Sequence, residues 1–162
     1  MKNLSQPTIG LLIGRASQRL QEVVAQRVAA YRITPQQLWV LLLVLEGADM
    51  SSRDIVARLH IDKAATSRLM DRLVRRRWIR MVPTKDDRRR RRLELTPSGL
   101  RQAKELKRLA LEIDRNMEAA IPPEHFELVN SALLQVGTRL EAMQAEAAAK
   151  TPSMKKSAKP GR

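Results

Sequence analysis

The chain has no cysteine, only two histidines and very few aromatic residues, 2% of its 162 positions. The missing cysteine excludes disulfides, thiolate metal sites, a cysteine nucleophile and redox sensing by thiols. His60 and His125 are far apart and too few for a histidine-rich metal site, so neither a metal nor a cofactor is expected. Because aromatics are scarce, the core must come from aliphatic side chains, and the abundant leucine, alanine and arginine favour helix.

The sequence features of membrane proteins and of enzymes are also missing. No apolar run approaches the length of a membrane span and no signal peptide opens the chain, which predicts a cytoplasmic protein without a membrane partner. Serine, histidine and aspartate are present, but no spacing indicates a catalytic triad, and no glycine-rich loop is available to bind phosphate. We therefore expect a protein that is not an enzyme.

Positive charge is abundant and unevenly distributed. The net charge is +14, of which +9 lies in residues 51–95 and +5 in residues 147–162, while the rest of the chain is neutral. Within the central segment, five consecutive arginines occupy positions 88–92. A surface that served solubility alone would spread its charge more evenly. The concentration therefore predicts a polyanionic partner, and nucleic acid before any other.

Helical periodicity covers the first part of the chain. Apolar residues recur every three to four positions over residues 8–31, and this stripe is longer than a small domain needs for its own core. The segment Thr34-Pro35-Gln36-Gln37 has the capping-box pattern. Residues 38–45 are almost wholly apolar, which predicts a central, buried second helix that ends at Gly47.

Two further helices follow, separated by a turn at His60. Ser51 or Ser52 caps a short third helix, and Asp62 caps a fourth that runs to about Arg77. Counting 100° per residue divides the fourth helix into two halves. The outward half carries short polar groups first and arginines later; the inward half carries Ala65, Thr66, Leu69, Met70 and Leu73. Two helices joined by a short turn, after a buried helix, indicate a helix-turn-helix.

A β-hairpin is predicted next, because two short alternating runs flank the charged loop. Ile79 and Met81 define the first run, and Leu93 and Leu95 the second. A helix-turn-helix followed by a hairpin predicts a winged helix, so the fold class is mainly α with a small β-hairpin. A fifth helix over about residues 97–120 and a sixth after the Pro122-Pro123 break complete the fold. Residues 151–162 form a basic tail that we expect to be disordered.

Four segments form an ordered set: residues 33–37, residues 61–73, Asp87-Arg88-Arg89, and the closing Leu95-Thr96-Pro97-Ser98-Gly99. Their order and spacing resemble the MarR (multiple-antibiotic-resistance regulator) family of bacterial and archaeal transcription factors, and the resemblance covers about residues 8–145. Two positions depart from the family pattern. Glycine is common before and after the fourth helix in that family, where this chain has His60 and Arg77, so we expect the helix end and the wing to be set differently.

The resemblance implies a single domain over residues 1–150, with a winged-helix core at about 34–96. Helices at about 8–31 and 97–149 would interlock in a homodimer, and the apolar stripes favour this independently. Two-fold symmetry then predicts a pseudo-palindromic site in double-stranded DNA, with half-sites about one helical turn apart. The implied function is a sequence-specific transcriptional regulator, usually a repressor released by a small aromatic or anionic ligand, in the bacterial cytoplasm at the nucleoid.

The resemblance places the fourth helix in the major groove. The expected base contacts are Lys63, Ala64, Ser67 and Arg68, and the expected phosphate contacts are Arg72, Arg75 and Arg76. The backbone N–H groups of Ser51 and Ser52 are candidates for a further phosphate. In the wing, the candidates are Lys85, Asp87, Arg88, Arg89, Arg90 and Arg91. One of Arg88 to Arg90 is expected in a narrow minor groove, and Asp87 is expected to orient an arginine.

Other readings of the sequence stay open. Arg15 and Arg19 are candidates for a carboxylate effector, although surface or interchain pairing is the simpler explanation. Trp39 is a pocket candidate, although a place in the core explains it better. The chain as a whole also fits a sequence-neutral architectural protein that coats DNA, or a winged-helix platform for protein partners. The sequence does not identify the effector, the operator, the regulated genes, the role of the tail or the direction of regulation.

Overall fold

A computed structural model describes residues 7–47, 50–59, 61–83 and 91–150. Over these residues the chain is mainly α-helical with one two-stranded antiparallel sheet, so the predicted fold class is confirmed. The elements in chain order are α1 (Ile9–Val28), a 3-10 turn (Ala29–Tyr31), α2 (Pro35–Glu46), α3 (Ser52–Leu59), α4 (Lys63–Arg75), β1 (Ile79–Pro83), β2 (Arg91–Leu95), α5 (Pro97–Glu118), a second 3-10 turn (Pro123–His125) and α6 (Phe126–Lys150).

The first two helices begin where their capping residues predict. The Thr8 side chain accepts a hydrogen bond from the Leu11 N–H, and Thr34 forms both halves of a capping box with Gln37. Between them, the chain turns through the 3-10 segment and through Arg32, which has a left-handed backbone at φ 54°. Helix α2 is the most buried helix, and its inward side chains are Gln37, Leu38, Val40, Leu41 and Val44.

The recognition helix candidate, α4, starts at its predicted cap but ends two residues earlier than predicted. Asp62 accepts a hydrogen bond from the Ala65 N–H at 2.8 Å, while the last helical residue is Arg75 rather than Arg77. The Arg77 N–H donates to the Val74 carbonyl and the Trp78 N–H donates to the Leu73 carbonyl. These two bonds form a Schellman motif, which requires a left-handed residue after the cap.

Arg77 supplies that left-handed residue, with φ 55°, at a position where glycine is common in the family resembled. A side chain in this region costs about 1–2 kcal/mol, whereas the extra freedom of glycine in the unfolded chain costs about 0.5–1 kcal/mol. Arg77→Gly should therefore raise the unfolding free energy modestly, by about 0.5 kcal/mol, in urea titrations. The matched change Arg75→Gly lies within the helix and should lower it by about 1 kcal/mol. Equal losses in both variants would contradict the left-handed assignment.

The hairpin has a regular register, with Ile79 opposite Leu95 and Pro83 opposite Arg91. The free side of β2 is also partly paired, which the sequence did not predict. Ser51 forms an isolated antiparallel bridge with Arg92, and the Leu93 N–H donates to the Met50 carbonyl at 2.7 Å. Residues just before α3 therefore attach the wing to the helix-turn-helix.

The chain divides into two compact units, Met1–Arg115 and Asn116–Arg162. In the first unit, α2 lies in a shared aliphatic core with α1, α3, α4, the hairpin and α5, and the buried side chains include Val28, Leu41, Ile55, Leu73 and Leu106. In the second unit, α6 exposes most of its side chains. A single domain over residues 1–150 stays a prediction, and the basic tail at 151–162 lies outside the described residues, as does His60.

Among the described residues, no single helix is both long enough and apolar enough to cross a membrane. The segments Ile9–Tyr31 and Pro35–Glu46 reach the length and apolar composition of a membrane span only when they are taken together, and they are bent by 79° relative to each other. The second of these segments is α2, whose apolar side chains lie mainly in the core of the first unit.

Candidate nucleic-acid interface

Helix α4 separates into a buried face and an exposed face, as the 100° count predicted. Thr66, Met70 and Leu73 are buried in the core, and the Thr66 hydroxyl donates to the Asp62 carbonyl at 3.0 Å. Val74, the one apolar residue that the count left outside, is 39% exposed. The exposed face carries Lys63, Ala64, Ser67, Arg68, Asp71, Arg72 and Arg75. All four candidates for base contact therefore share the outward surface of the first two turns.

Asp62 and the helix it caps have a defined electrostatic environment. The hydrogen bond from the Ala65 backbone, with smaller contributions from the Ala64 backbone and the charge of Arg68, holds the pKa of the Asp62 carboxyl below its ordinary value. The carboxylate therefore stays ionised at neutral pH and satisfies an N–H group at the start of α4. The positive charge at this end of the helix therefore comes from Lys63 and Arg68 rather than from free backbone N–H groups alone.

Arg76 differs from Arg72 and Arg75 because its guanidinium forms hydrogen bonds within the protein. Its Nη1 donates to the Tyr31 carbonyl at 2.9 Å and its Nη2 donates to the Arg32 carbonyl at 2.6 Å. The same guanidinium lies 4.8 Å from the centroid of the Trp78 ring. These contacts engage the Arg76 guanidinium within the protein, whereas Arg72 and Arg75 are exposed; the phosphate contacts of all three stay predictions.

Ser51 is likewise engaged within the protein. It is the residue before α3, and its N–H donates to the Asp54 carboxylate at 2.8 Å while its hydroxyl donates to the same oxygen at 2.6 Å. The Asp54 N–H donates back to the Ser51 hydroxyl at 3.3 Å. The prediction that the Ser51 N–H is available to a phosphate is therefore corrected, because this N–H already donates to the Asp54 carboxylate. Ser52 instead lines a cleft of about 420 Å³ with Lys63, Ser67 and Met81.

The base of the wing is described by the structure and its tip is not. Lys85, Asp87, Arg88, Arg89 and Arg90 lie outside the described residues, so their roles stay predictions. Arg91 is exposed at the start of β2, opposite Pro83. The described strands confirm that the arginine run leads directly into a β-strand.

The last arginine of the run, Arg92, is engaged within the hairpin. Arg92 is only 30% exposed at its side chain and its Nη2 lies 2.6 Å from Glu94 Oε1. Across the hairpin, Arg80 donates to Glu94 Oε2 through Nε at 2.9 Å and Nη2 at 2.7 Å. Hydrogen bonding from Arg80, together with the charge of Arg92, holds the pKa of Glu94 below its ordinary value. Glu94 thus forms ion pairs with one arginine on each strand of the wing, and neither pair was predicted.

The effector candidates lie in different environments. Arg15 and Arg19 are exposed on α1, whereas Trp39 is half-buried and packs against the core. A second cleft, of about 280 Å³, runs along the other side of α4 and is lined by Thr34, Gln36, Ile61, Ala65, Arg68, Leu69 and Arg72. Within the described residues, no group of histidine, aspartate and glutamate is arranged to hold a metal ion.

A buried α2, a short α3, a half-exposed α4 and a two-stranded wing together define a winged-helix protein. Residues 33–90 match the sequence model of the MarR family. No curated protein gives a significant sequence match to the chain. The matched segment contains α2, α3, α4 and β1, so it coincides with the proposed DNA-reading part of the first unit.

Solved structures extend the similarity beyond this segment. The MepR–DNA complex of S. aureus is 20% identical, with a TM-score of 0.76 over 83% of this chain and 99% of that chain. The apo form of E. coli MarR is 21% identical, with a TM-score of 0.68 over 81% and 98%. CouR of Rhodococcus jostii, bound to p-coumaroyl-CoA, is 21% identical, with a TM-score of 0.75 over 84% and 95%. The fold and the family match together confirm the resemblance to MarR-family winged-helix regulators.

Proposed function

We propose that this protein is a dimeric, sequence-specific DNA-binding transcriptional regulator, and that it acts as a repressor relieved by a small aromatic or anionic ligand. The observation that carries the proposal is the exposed face of α4, where Lys63 and Arg68 flank the short side chains of Ala64 and Ser67. Lysine and arginine hydrogen-bond guanine in the major groove, and small side chains allow the helix to approach the bases closely.

The wing and the end of α4 would add affinity without sequence information. Arg72, Arg75 and Arg91 are exposed. The predicted wing arginines at positions 88–90 belong to the segment that joins β1 to β2, directly before Arg91 in the sequence. Each phosphate contact releases counterions, so binding should weaken steeply with salt. The solved MepR structure is a DNA complex, which supports the same use of this fold here.

Selection of bound sequences from a random double-stranded DNA pool tests the proposal. We expect an enriched pseudo-palindrome whose half-sites lie about one helical turn apart, because two copies related by two-fold symmetry present two α4 helices. The selected sequence should stay bound when bulk DNA is added in excess as a competitor. If no motif emerges and bulk DNA competes fully, sequence-specific regulation is wrong.

A sequence-neutral architectural role is the second candidate, and the concentrated charge favours it. The net charge of +14 would bind any duplex, and the basic tail at 151–162 would add to this. Deletion of residues 151–162 should lower affinity for all sequences alike. If an enriched motif is found and the deletion leaves its preference unchanged, the regulator proposal holds and the tail contributes affinity only.

Homodimer formation is part of the proposal, and exposed apolar side chains support it. In the first unit, Ile9 is 62% exposed and Leu12 is 50% exposed on α1. In the second unit, Leu134 is 73% exposed and Leu128 is 68% exposed on α6. Large apolar side chains at such exposure along whole helices are typical of a surface that a partner covers.

Leu134→Glu should weaken the dimer tenfold or more, because a carboxylate would be buried without a partner at a cost of about 1.4 kcal/mol or above. Gln135→Glu introduces the same charge one residue away and serves as the control. Sedimentation equilibrium of the unchanged protein should give twice the chain mass of 18.4 kDa. A monomer at micromolar concentration, or equal effects of the two variants, would count against an interface that includes this face of α6.

A small-molecule effector is also part of the proposal. Arg15 and Arg19 would supply charge for a carboxylate and Trp39 an aromatic surface. The solved CouR structure holds an aromatic acyl thioester, which supports an aromatic or anionic class of ligand. Loss of operator binding on addition of simple aromatic carboxylates, and its retention in an Arg15→Ala/Arg19→Ala variant, would support these residues; loss in both proteins alike would exclude them.

A further inference from the structure

Arg76 joins the end of the recognition helix to the connection between α1 and α2. It is the C-terminal cap of α4, and its guanidinium bonds two successive carbonyls, those of Tyr31 and Arg32. These carbonyls end the 3-10 turn that follows α1, where the backbone lacks partners of its own. The Arg76 side chain at the end of α4 thus donates to backbone carbonyls at the end of the segment that follows α1.

The segment that Arg76 holds is connected to a third helix. The Tyr31 hydroxyl donates to the Glu105 carboxylate of α5 at 3.2 Å. Burial and the neighbouring Glu105 charge raise the pKa of the Tyr31 phenol, so the hydroxyl keeps its proton at neutral pH. Nearby, Arg27 of α1 pairs with Glu112 of α5. Residues 31–32 therefore lie between the end of α4 and the pair formed by α1 and α5.

The local backbone and the Trp78 ring restrict Arg76 to this geometry. The Schellman motif that ends α4 places Arg77 in the left-handed region and turns the chain toward Trp78. The guanidinium then lies over the Trp78 ring at a centroid distance of 4.8 Å. A planar guanidinium can stack on a ring and donate two hydrogen bonds at once, which a lysine ammonium cannot do in the same way.

We infer that Arg76 is a positioning residue that fixes the angle of the recognition helix relative to α1 and α5, and not a phosphate contact. The inference rests on the proposed function, since it concerns how the reading helix is presented to DNA. It predicts that Arg76 controls discrimination between sequences, because misplaced base contacts lose energy, while nonspecific attraction to the duplex is untouched.

The test compares Arg76→Ala with Arg75→Ala, an adjacent arginine of the same charge that is exposed. Affinity for the selected operator and for random duplex DNA is measured across a salt series. Arg76→Ala should lower operator affinity about tenfold or more, since a displaced helix loses at least one good base contact. Its affinity for random DNA and its salt slope should stay near those of the unchanged protein. Arg75→Ala should instead weaken both DNAs alike and reduce the slope by about 0.9 per lost phosphate contact.

Further variants distinguish positioning from general loss of fold. Arg76→Lys keeps the charge but cannot span both carbonyls with the same geometry, so it should show a smaller loss of discrimination at an unchanged salt slope. Tyr31→Phe removes the hydrogen bond to Glu105 without changing the net charge. It should therefore also reduce discrimination between operator and random DNA, while the salt slope stays unchanged. In a Trp39→Phe background, Trp78 is the sole tryptophan, and its emission should respond to Arg76→Ala and not to Arg75→Ala.

The outcomes separate the two proposals. If the unchanged protein prefers no sequence, the proposed regulator function fails and the positioning role fails with it. If the unchanged protein has a preferred operator but Arg76→Ala behaves like Arg75→Ala, Arg76 contacts phosphate and the inference is overturned alone. Full operator affinity in Arg76→Ala would overturn it equally. If Arg76→Ala does not fold, the lysine and phenylalanine variants decide between these results.

Discussion

Gly99→Ala should lower the melting temperature by about 10 °C, the larger of two strong effects that the structure predicts. A Cβ atom at position 99 would lie 1.8 Å from the Trp78 carbonyl oxygen and 2.6 Å from its carbon. No rotamer relieves this overlap, because every atom involved belongs to the backbone or is the Cβ itself. The start of α5 would have to move away from the chain that leaves α4.

That movement would break a compact set of hydrogen bonds. The Thr96 N–H donates to the Trp78 carbonyl at 3.0 Å, and the Thr96 and Ser98 hydroxyls both donate to the Arg77 carbonyl. Thr96 also caps α5, since its hydroxyl accepts from the Gly99 N–H at 3.1 Å. Overpacking together with the loss of these bonds should cost about 3 kcal/mol.

Gly14→Ala is the matched control for this prediction. Gly14 lies within α1, and among the described residues a Cβ built there meets nothing within 4 Å apart from its chain neighbours and the backbone of its own helix. Alanine is favoured over glycine inside a helix, so this variant should melt at the same temperature or slightly higher. Both proteins should be compared at one concentration by circular dichroism, because dimerisation would raise both transitions. A Gly99→Ala melting point within a degree of the unchanged protein would contradict the close approach.

The second strong effect concerns the reading face of α4. Under the proposed function Lys63 and Arg68 bond base edges, and each such contact contributes about 1–3 kcal/mol. The double variant Lys63→Ala/Arg68→Ala should therefore lower affinity for the selected operator at least about 100-fold. In a dimer the loss applies to both half-sites. Affinity for random DNA should fall far less, since exposed Arg72 and Arg75 remain to attract phosphate. Fluorescence anisotropy with labelled operator and scrambled duplex measures both.

The control for this double variant removes one lysine and one arginine from a different helix. Lys104 and Arg108 are exposed on α5, one turn apart, and their double replacement by alanine lowers the net charge equally. That variant should bind the operator nearly as well as the unchanged protein. Equal losses in the two double variants would mean that binding depends on total charge, and the architectural alternative would then be favoured over sequence reading.

Much of the fold was predictable because short-range rules determine it. Thr34, Asp62 and Thr96 cap helices through their own side chains, and the inward face of α4 follows from helical geometry. The sheet was predictable only in part. Alternating residues indicated β1 and β2, but the bridge from Ser51 to β2 involves too short a segment to produce a pattern.

The unpredicted contacts at the site have a common physical cause: charged residues have partners that sequence spacing alone does not reveal. Arg76 meets carbonyls more than forty residues earlier in the chain, and Arg92 meets Glu94 at the hairpin. One signal was available for Arg76, because continuing the 100° count from Lys63 places it at about 220°, on the packed side of α4. No comparable signal distinguishes Ser51 from Ser52, since either hydroxyl suits a helix cap.

The order of the sheet has a consequence for how the protein behaves at high concentration. With one edge of β2 joined to Met50 and Ser51, the outer edge of β1 is the side of the sheet that has no strand partner among the described residues. Exposed edges invite pairing with strands of other molecules and so promote aggregation. On β1, Pro83 lacks an N–H group to offer and Arg80 adds charge. This edge is therefore poorly suited to strand addition, which should limit association of neighbouring molecules through their wings at high protein concentration.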